Sequence, residues 1–320
     1  MMLRLVAVLF LLFSGLAQAT APTVLQRPIS LATEQGTLYG SLLLPRGDSP
    51  PPVVLIIAGS GPTDRDGNNP GSGRIDNLKR LALLLANNHI ASVRYDKRGV
   101  AASQPATPDE RNLSVERYVA DAVAWSRTLK ADPRFGPLIL LGHSEGALIA
   151  SLAAEQAGAS AVISLAGSGR PVDQVLREQL AERLSGTELQ QGLALIDRLK
   201  AGQYSRDVPA PLRAVFRPSV QPYLVSLFRQ DPAAAFAAVK VPALIVQGRN
   251  DIQVSLQDAE NLHAAKPDAA LALIDGMNHT LRISPAEMNA QRDSYLNPEL
   301  PLAQALGEKI IAFIRGLPAA

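Results

Sequence analysis

The sequence predicts an α/β fold in which an eight-stranded, mostly parallel sheet is flanked by helices. Three observations lead to this prediction. Short apolar runs rich in β-branched residues recur along the chain, amphipathic helical patterns separate them, and an alternating hairpin pattern precedes them. Strands that alternate with helices form βαβ units, and such units build a parallel sheet covered on both faces.

The hairpin comes first, over residues 23–44, where the alternating pattern breaks once at Glu34-Gln35-Gly36. Six apolar runs follow, each typical of a buried central strand of a parallel sheet. They cover residues 53–57, 91–95, 138–141, 161–165, 243–246 and 270–274. The hairpin and the six runs together predict eight strands.

Helical patterns fill the intervals between the runs. Ser114 and Ser255 precede two of them and have the hydroxyl side chain typical of a helix N-cap. Gly158 follows a stretch of small apolar residues and would end that helix. The five helices predicted in this way cover 74–88, a segment from Ser114 onward, 145–157, 255–263 and 302–314.

The interval from Gly169 to Lys240 contains no apolar run of strand type, and a loop of that length would be unusual in a compact domain. Helical patterns occur at 172–184, 187–200 and 219–239, with several prolines between them. We therefore expect a helical cap inserted after the sixth strand. The predicted organisation is a core from 20 to 168, a cap from 169 to 240, and a second part of the core from 241 to 320.

The first 19 residues have the pattern of a cleaved export signal. Arg4 supplies a positive charge, an apolar run covers residues 5–16, and Ala17-Gln18-Ala19 has the small-x-small pattern of a cleavage site. The run is shorter than the roughly 20 residues that span a bilayer. We expect export to the periplasm or the extracellular space, with no stable membrane insertion after cleavage.

Composition excludes several classes of site and partner. The sequence has no cysteine, which excludes disulfides, thiolate metal sites and a cysteine nucleophile. The formal net charge is +2 and the charges are scattered, whereas a nucleic-acid partner would need a clustered basic face. No histidine spacing of the zinc type occurs, so we expect neither a metal nor another cofactor. The sequence carries no signal that sets an oligomeric state.

The segment with the strongest chemical signal is Gly142-His143-Ser144-Glu145-Gly146, a Gly-x-Ser-x-Gly pattern between a predicted buried strand and a predicted helix. In this setting the serine lies on a sharp turn that exposes its Oγ above the sheet. The two glycines leave room for neighbouring backbone. We therefore predict that Ser144 is a nucleophile and that the Glu145 N–H, at the positive end of the helix, stabilises an oxyanion.

A serine nucleophile needs a general base, and the sequence has only four histidines. His143 belongs to the turn, His89 lies between a helix end and a strand start, and His263 lies inside a predicted helix. His279 follows the last predicted strand, where loops at the carboxyl end of a parallel sheet meet ligands. Elimination therefore favours His279 as the base.

Two aspartates compete to orient this histidine. Asp251 follows the strand at 243–246, and Asp275 lies four residues before His279. Asp251 follows a different strand from the one that precedes His279, and it fits the chain order Ser, Asp, His of such triads. We therefore favour Asp251 over Asp275.

The second oxyanion donor is expected in the loop after the strand at 53–57, whose glycines let backbone approach a ligand closely. Its Ser60 N–H is the predicted donor. We expect the charged residues Asp64, Arg65 and Asp66 to tie the loop through ion pairs rather than to act in catalysis. We likewise expect the charges of residues 95–99 to brace the site rather than to act in it.

These motifs resemble those of bacterial α/β-hydrolases with esterase activity, in particular secreted or thermophilic esterases with Gly-Ser-Gly-Pro-Thr-Asp-Arg-Asp-Gly-Asn, here residues 59–68. The similarity extends from about residue 23 to the C-terminus. Ala58 stands where the common His-Gly opening of this loop has histidine, and Ala101 and Ala102 stand where a glycine often follows the Arg-Gly pair.

The resemblance implies an α/β-hydrolase fold and cleavage of a small-molecule carboxylic ester through an acyl-enzyme. Peptidase, thioesterase and lipase activities use the same triad and stay open as alternatives, because the fold serves all of them. A non-catalytic binding protein on the same fold is a further alternative, which the presence of Ser144, Asp251 and His279 disfavours.

Overall fold

The computed structural model describes residues 24–71 and 73–318. The predicted export signal over residues 1–19 lies outside this part of the chain. Among the described helices, none is both long enough and apolar enough to cross a bilayer.

Eight strands form a single sheet. They are β1 (Val24–Thr33), β2 (Gly36–Pro45), β3 (Val53–Ile57), β4 (Ala91–Tyr95), β5 (Leu138–His143), β6 (Ala161–Leu165), β7 (Ala243–Gly248) and β8 (Ala270–Ile274). Their spatial order is β1-β2-β4-β3-β5-β6-β7-β8. The two pairs that involve β2 are antiparallel, and the other five are parallel. The predicted eight-stranded, mostly parallel α/β sheet is therefore confirmed.

The helices are α1 (Asn77–Ala86), α2 (Val115–Lys130), α3 (Glu145–Ala157), α4 (Val172–Arg183), α5 (Gly186–Lys200), α6 (Arg213–Phe216), α7 (Gln221–Phe228), α8 (Pro232–Ala237), α9 (Leu256–Ala265), α10 (Met288–Ser294) and α11 (Gln304–Arg315). Ser114 caps α2, Ser255 forms a capping box with Asp258 at the start of α9, and Gly158 ends α3 with a φ of 58°.

Both faces of the sheet are covered because its central strands are apolar on both sides. In β3, Val53, Leu55 and Ile57 pack into one core with α2 and α3. Val54 and Ile56 point the opposite way and pack into a second core with α1 and α11. Alternation along the strand thus supplies two hydrophobic layers from one buried segment.

The structure departs from the sequence patterns at three places. The helical pattern over 219–239 is divided into α7 and α8, because the Asp231 side chain accepts the N–H of Ala234 and Pro232 begins the new helix. α10 was not anticipated. β8 lies at the edge of the sheet with Ala270 exposed, rather than in its buried centre.

In the chain, helices α4 to α8 come between β6 and β7. Their function as a cap stays a prediction.

Candidate active site

Ser144 lies at the turn between β5 and α3, with φ 56° and ψ −122°. This conformation is unfavourable for a residue with a Cβ, at a cost of about 1–3 kcal/mol, and persists only where the surroundings enforce it. The Ser144 N–H donates to the Leu165 carbonyl at the end of β6, 2.9 Å away. The turn therefore holds the serine above the carboxyl end of the sheet.

Gly142 and Gly146 make this turn possible. A Cβ on Gly142 would overlap the carbonyl group of Gly146, and a Cβ on Gly146 would overlap the carbonyl of Ile57 in β3. The backbone segments are in direct contact at both positions, so neither glycine can be replaced without moving the strand or the helix.

The imidazole of His279 lies against the carboxylate of Asp251. Nδ1 of His279 is 2.8 Å from Oδ2 of Asp251, and both side chains are buried. The other carboxylate oxygen, Oδ1, accepts the N–H groups of Gln253 and Val254 at 2.8 and 2.9 Å. Burial by itself raises the pKa of Asp251, but His279 and these N–H donors outweigh it and lower the pKa below its ordinary value.

This contact determines which imidazole nitrogen is free. An ionised carboxylate only accepts hydrogen bonds, so Nδ1 of His279 carries the proton and Nε2 is left as an acceptor. Ser144 and His279 line the same cavity. An imidazole whose Nε2 is free to accept thus lines the same cavity as the serine.

Asp275, the rival carboxylate, is placed differently. Its side chain is 92% exposed and pairs with Arg249 at 2.8 Å, on the surface. His89 is exposed and His263 is half-buried in α9. Of the residues considered for base and acid, the structure therefore brings together His279 and Asp251.

His143 supports the loop of His279 in a way that the sequence did not indicate. Its Nε2 lies 3.0 Å from the carbonyl oxygen of His279, and the two rings are 4.8 Å apart. Burial, with a smaller contribution from the neighbouring His279, lowers the pKa of His143 to about 3. A neutral His143 therefore donates its Nε2–H to the backbone of the loop that carries His279.

The loop after β3 approaches Ser144 closely. A Cβ built on Gly59 would lie 3.2 Å from Cβ of Ser144, which only a glycine allows without displacement. Ser60 borders both cavities beside Ser144, and in the described part of the chain its N–H has no hydrogen-bond acceptor. Ser60 and Glu145, whose N–H groups are the predicted donors, line one cavity together with Ser144.

The charged residues of the same loop are occupied in holding it. Arg65 pairs with Asp96 at 2.6 Å, and Asp66 pairs with Arg94 at 2.8 Å. Asp64 accepts the N–H of Asp66 within the loop, at 2.8 Å. These contacts tie the loop to β4 and to the residue that follows it, and they leave the glycines to face the site.

Two cavities meet at Ser144. One, of about 260 Å³, is largely polar and is lined in part by Thr63, Asn69, Asn77, Gln253, Thr280 and Tyr295. The other, of about 220 Å³, is largely apolar and lies under α4 and α7. Its apolar lining consists of Leu148, Val172, Val175, Leu176, Leu227, Pro232 and Val254. A bound molecule can thus place a polar and an apolar part on opposite sides of the serine.

Two further residues near the site, Lys97 and Tyr223, were not singled out from the sequence. Lys97 belongs to the charged stretch 95–99 that follows β4, and its side chain is 1% exposed. Tyr223 of α7 donates its hydroxyl to Oε2 of Glu145. The position of Lys97 directly after a predicted strand could have indicated that it lies near the site. No local sequence feature connects Tyr223 with the serine turn. In the described part of the chain, no three His, Asp or Glu residues cluster as a metal site would require.

Comparisons with known proteins identify the family and similar proteins. The model of a family described as serine aminopeptidase, S33, matches residues 71–285. Esterase EstD of Thermotoga maritima is 28% identical over 251 residues, which cover 76% of this chain and 58% of that relative. The chain thus spans less than two thirds of the curated relative that it matches.

Solved structures show the same fold. Est1E from Butyrivibrio proteoclasticus with bound ferulic acid superposes with a TM-score of 0.60 at 16% identity, over 90% of this chain and 99% of that one. The esterase domain of a Rhodothermus marinus protein superposes with a TM-score of 0.57 at 16% identity, over 91% and 98% of the two chains.

Proposed function

We propose that this chain, which belongs to the family described as serine aminopeptidase, S33, and is a serine hydrolase of the α/β-hydrolase fold, cleaves carboxylic esters. The observation that carries the proposal is the arrangement around Ser144. His279, which pairs with the buried Asp251, lines a cavity together with Ser60 and with Ser144, which is held in a strained turn. Among the described residues, the Ser60 N–H has no hydrogen-bond acceptor.

The mechanism follows from these positions. Nε2 of His279 takes the proton of Ser144 as Oγ attacks the ester carbonyl, and Asp251 stabilises the imidazolium that forms. The N–H groups of Ser60 and Glu145 bind the oxyanion of the tetrahedral intermediate. The protonated His279 then gives its proton to the leaving alcohol, which produces an acyl-enzyme. Water activated by the same histidine releases the acid.

The two cavities suggest how a substrate lies. An apolar acyl chain fits the side lined by α4 and α7, where Leu148, Leu176 and Leu227 offer only hydrocarbon. The alcohol part then occupies the polar side, next to Asn69 and Tyr295. Helices α4 and α7 act in this proposal as a cap that sets the acyl preference.

An ester fits the site better than an N-terminal peptide does. An aminopeptidase must bind the α-ammonium group of its substrate, which a carboxylate does best. Among the described lining residues the carboxylates are Glu145 and Asp258, and both have partners: Glu145 accepts from Tyr223, and Asp258 pairs with Arg170 at 3.1 Å. The names of the relatives, EstD, Est1E and the esterase domain, support the same choice.

The test compares leaving groups directly. Purified protein is assayed with p-nitrophenyl esters of increasing acyl length and with aminoacyl-p-nitroanilides, and Ser144→Ala serves as the control for background hydrolysis. We expect turnover of the esters that is lost in Ser144→Ala. Turnover of the anilides with no turnover of any ester would contradict the proposal in favour of a peptidase, and no turnover at all would favour a binding protein.

Export to the periplasm or the extracellular space remains part of the proposal and rests on the pattern of residues 1–19. Fractionation of bacterial cells that express the full sequence, with a blot against the protein, tests it. Protein of full length found only in the cytoplasm would contradict it.

A further inference from the structure

A buried lysine reaches the loop that carries one oxyanion donor. Lys97 follows β4, and its ammonium donates a hydrogen bond to the carbonyl oxygen of Gly59. The side chain is 1% exposed, so water does not compete for this contact. β3 lies between β4 and β5 in the sheet, which places Lys97 and Ser144 on opposite sides of the loop after β3.

The bonded carbonyl belongs to the same peptide group as the Ser60 N–H. A peptide group is planar, and in its trans form the C=O and the N–H point in opposite directions. No cis peptide bond occurs in the described residues. A carbonyl of Gly59 fixed toward Lys97 therefore sends the Ser60 N–H the other way, toward the cavities that Ser60 shares with Ser144.

We propose that Lys97 is a positioning residue that aims and strengthens the Ser60 oxyanion donor. The inference rests on the proposed function, because it concerns the same reaction. The ammonium acts in two ways. It fixes the rotation of the peptide before substrate binds, which removes a reorganisation cost at the moment of reaction. It also polarises the carbonyl, and a polarised peptide is a stronger N–H donor in a buried site.

The same ammonium reaches the other half of the oxyanion hole. Nζ of Lys97 lies 3.6 Å from Oε1 of Glu145, whose backbone N–H is the second donor. Tyr223 holds the other carboxylate oxygen, and burial raises the pKa of Tyr223 well above its ordinary value, so its phenol stays protonated and donates. Lys97 therefore joins the loop after β3 to the first residue of α3.

A purely structural role makes a different prediction. If Lys97 served only to neutralise the buried carboxylate of Glu145, then removal of both charges would restore the site, because an uncompensated buried charge is the costly state. If Lys97 acts through Gly59, removal of both charges leaves the peptide unanchored. The variants Lys97→Met, Glu145→Gln and the double variant separate these roles.

The measurements are kcat and KM for a p-nitrophenyl ester, and inhibition constants for two ketones of the same length. Oγ of Ser144 adds to the carbonyl of a trifluoromethyl ketone and forms an oxyanion. The corresponding methyl ketone binds largely without this addition. We expect kcat to fall by about 10–100-fold in Lys97→Met and in the double variant, below the about 10²–10³-fold lost when an oxyanion donor is removed outright. KM should change little. The inhibition constant of the trifluoromethyl ketone should rise by a similar factor, whereas that of the methyl ketone should stay unchanged.

Recovery of wild-type kcat in the double variant would overturn the proposal, as would equal weakening of both ketones. The double variant also provides the test if Lys97→Met alone does not fold. A fluorophosphonate that labels Ser144 separates this inference from the proposed function. If wild type hydrolyses no ester, the proposed function fails, but the labelling rates of wild type and the Lys97 variants still compare the oxyanion hole, with Ser144→Ala as the unlabelled control.

Discussion

Nδ1 of His279 lies 2.8 Å from Oδ2 of Asp251, although the two residues are 28 positions apart in the chain. Asp275 is much nearer to His279 in sequence, but it pairs with Arg249 at the surface. Strand order explains the difference, since β7 and β8 are neighbours and the loops that leave their carboxyl ends meet above the sheet.

The first prediction compares the two aspartates. Asp251→Asn keeps the shape of the side chain but no longer holds the Nδ1–H tautomer of His279, so kcat should fall by up to about 10⁴-fold, as in a serine protease triad. Asp275→Asn should retain nearly full kcat because its side chain is exposed. Steady-state kinetics of the two variants decide the matter. A large loss of kcat in Asp275→Asn, together with nearly normal kcat in Asp251→Asn, would mean that Asp275 orients His279.

The second prediction concerns the strain at Ser144. Both Ser144→Ala and Ser144→Gly should lose esterase activity, because both lack Oγ. Only glycine adopts φ 56° and ψ −122° without a steric cost, so Ser144→Gly should exceed Ser144→Ala in unfolding free energy by about 1 kcal/mol. Urea unfolding of the two variants measures this difference. Equal stability would mean that the turn stores no strain.

The third prediction concerns the glycines on either side of the serine. Gly142→Ala and Gly146→Ala should each lower the unfolding free energy by about 3 kcal/mol, the upper end of the usual cost of overpacking, because a Cβ would overlap backbone. Gly47→Ala is the matched control, since a Cβ there meets nothing within 4 Å. Thermal unfolding of the three variants provides the comparison. Gly142→Ala with the stability of Gly47→Ala would be inconsistent with the tight turn.

The fourth prediction uses the low pKa of His143. This pKa is about 3 in the folded protein, against an ordinary value of 6.5. Between these two pH values the unfolded chain binds a proton at this residue that the folded chain does not. The unfolding free energy should therefore decrease by about 1.4 kcal/mol for each unit that the pH falls within this window, from this residue alone.

His143→Gln removes that proton and keeps a donor for the His279 carbonyl. The variant should lose stability less steeply than wild type as the pH falls from 6.5 toward 4, measured by urea unfolding at each pH. His89→Asn, at an exposed position with positive φ, is the control and should retain the wild-type slope. Parallel curves for wild type and His143→Gln would show that His143 does not contribute to this loss.

The fifth prediction concerns the apolar cavity under α4. Leu176→Trp should fill part of the space for the acyl chain, so the ratio of kcat/KM for p-nitrophenyl hexanoate to that for the acetate should fall by about 10-fold, since each methylene in an apolar pocket contributes about 1 kcal/mol or more. Gln174→Trp, on the exposed face of the same helix, should leave the ratio unchanged. An unchanged ratio in Leu176→Trp would place the acyl chain elsewhere.

Much of the architecture followed from the sequence because its signals are local. Apolar runs of strand length, Ser114 and Ser255 as caps, and a Gly-x-Ser-x-Gly turn between a strand and a helix each depend on neighbours in the chain. His279 could be selected because the chain has so few histidines and only one of them follows a strand at the proper end of the sheet. The division of the helical pattern over 219–239 into two helices was not predicted from the sequence, since it depends on how Asp231 and Pro232 are placed.

The sequence by itself thus determined the α/β class, the eight strands, and Ser144 and His279 as the candidates for nucleophile and base. The sequence favoured Asp251 over Asp275, but only the tertiary structure placed Asp251 against His279. Tertiary structure alone showed that His143 contacts the carbonyl of His279 and that Lys97 holds the Gly59 carbonyl. The physical reason is the order of the strands. Periodicity locates strands along the chain, but only the pairing of β3 between β4 and β5 brings the ends of three separate segments to one point above the sheet.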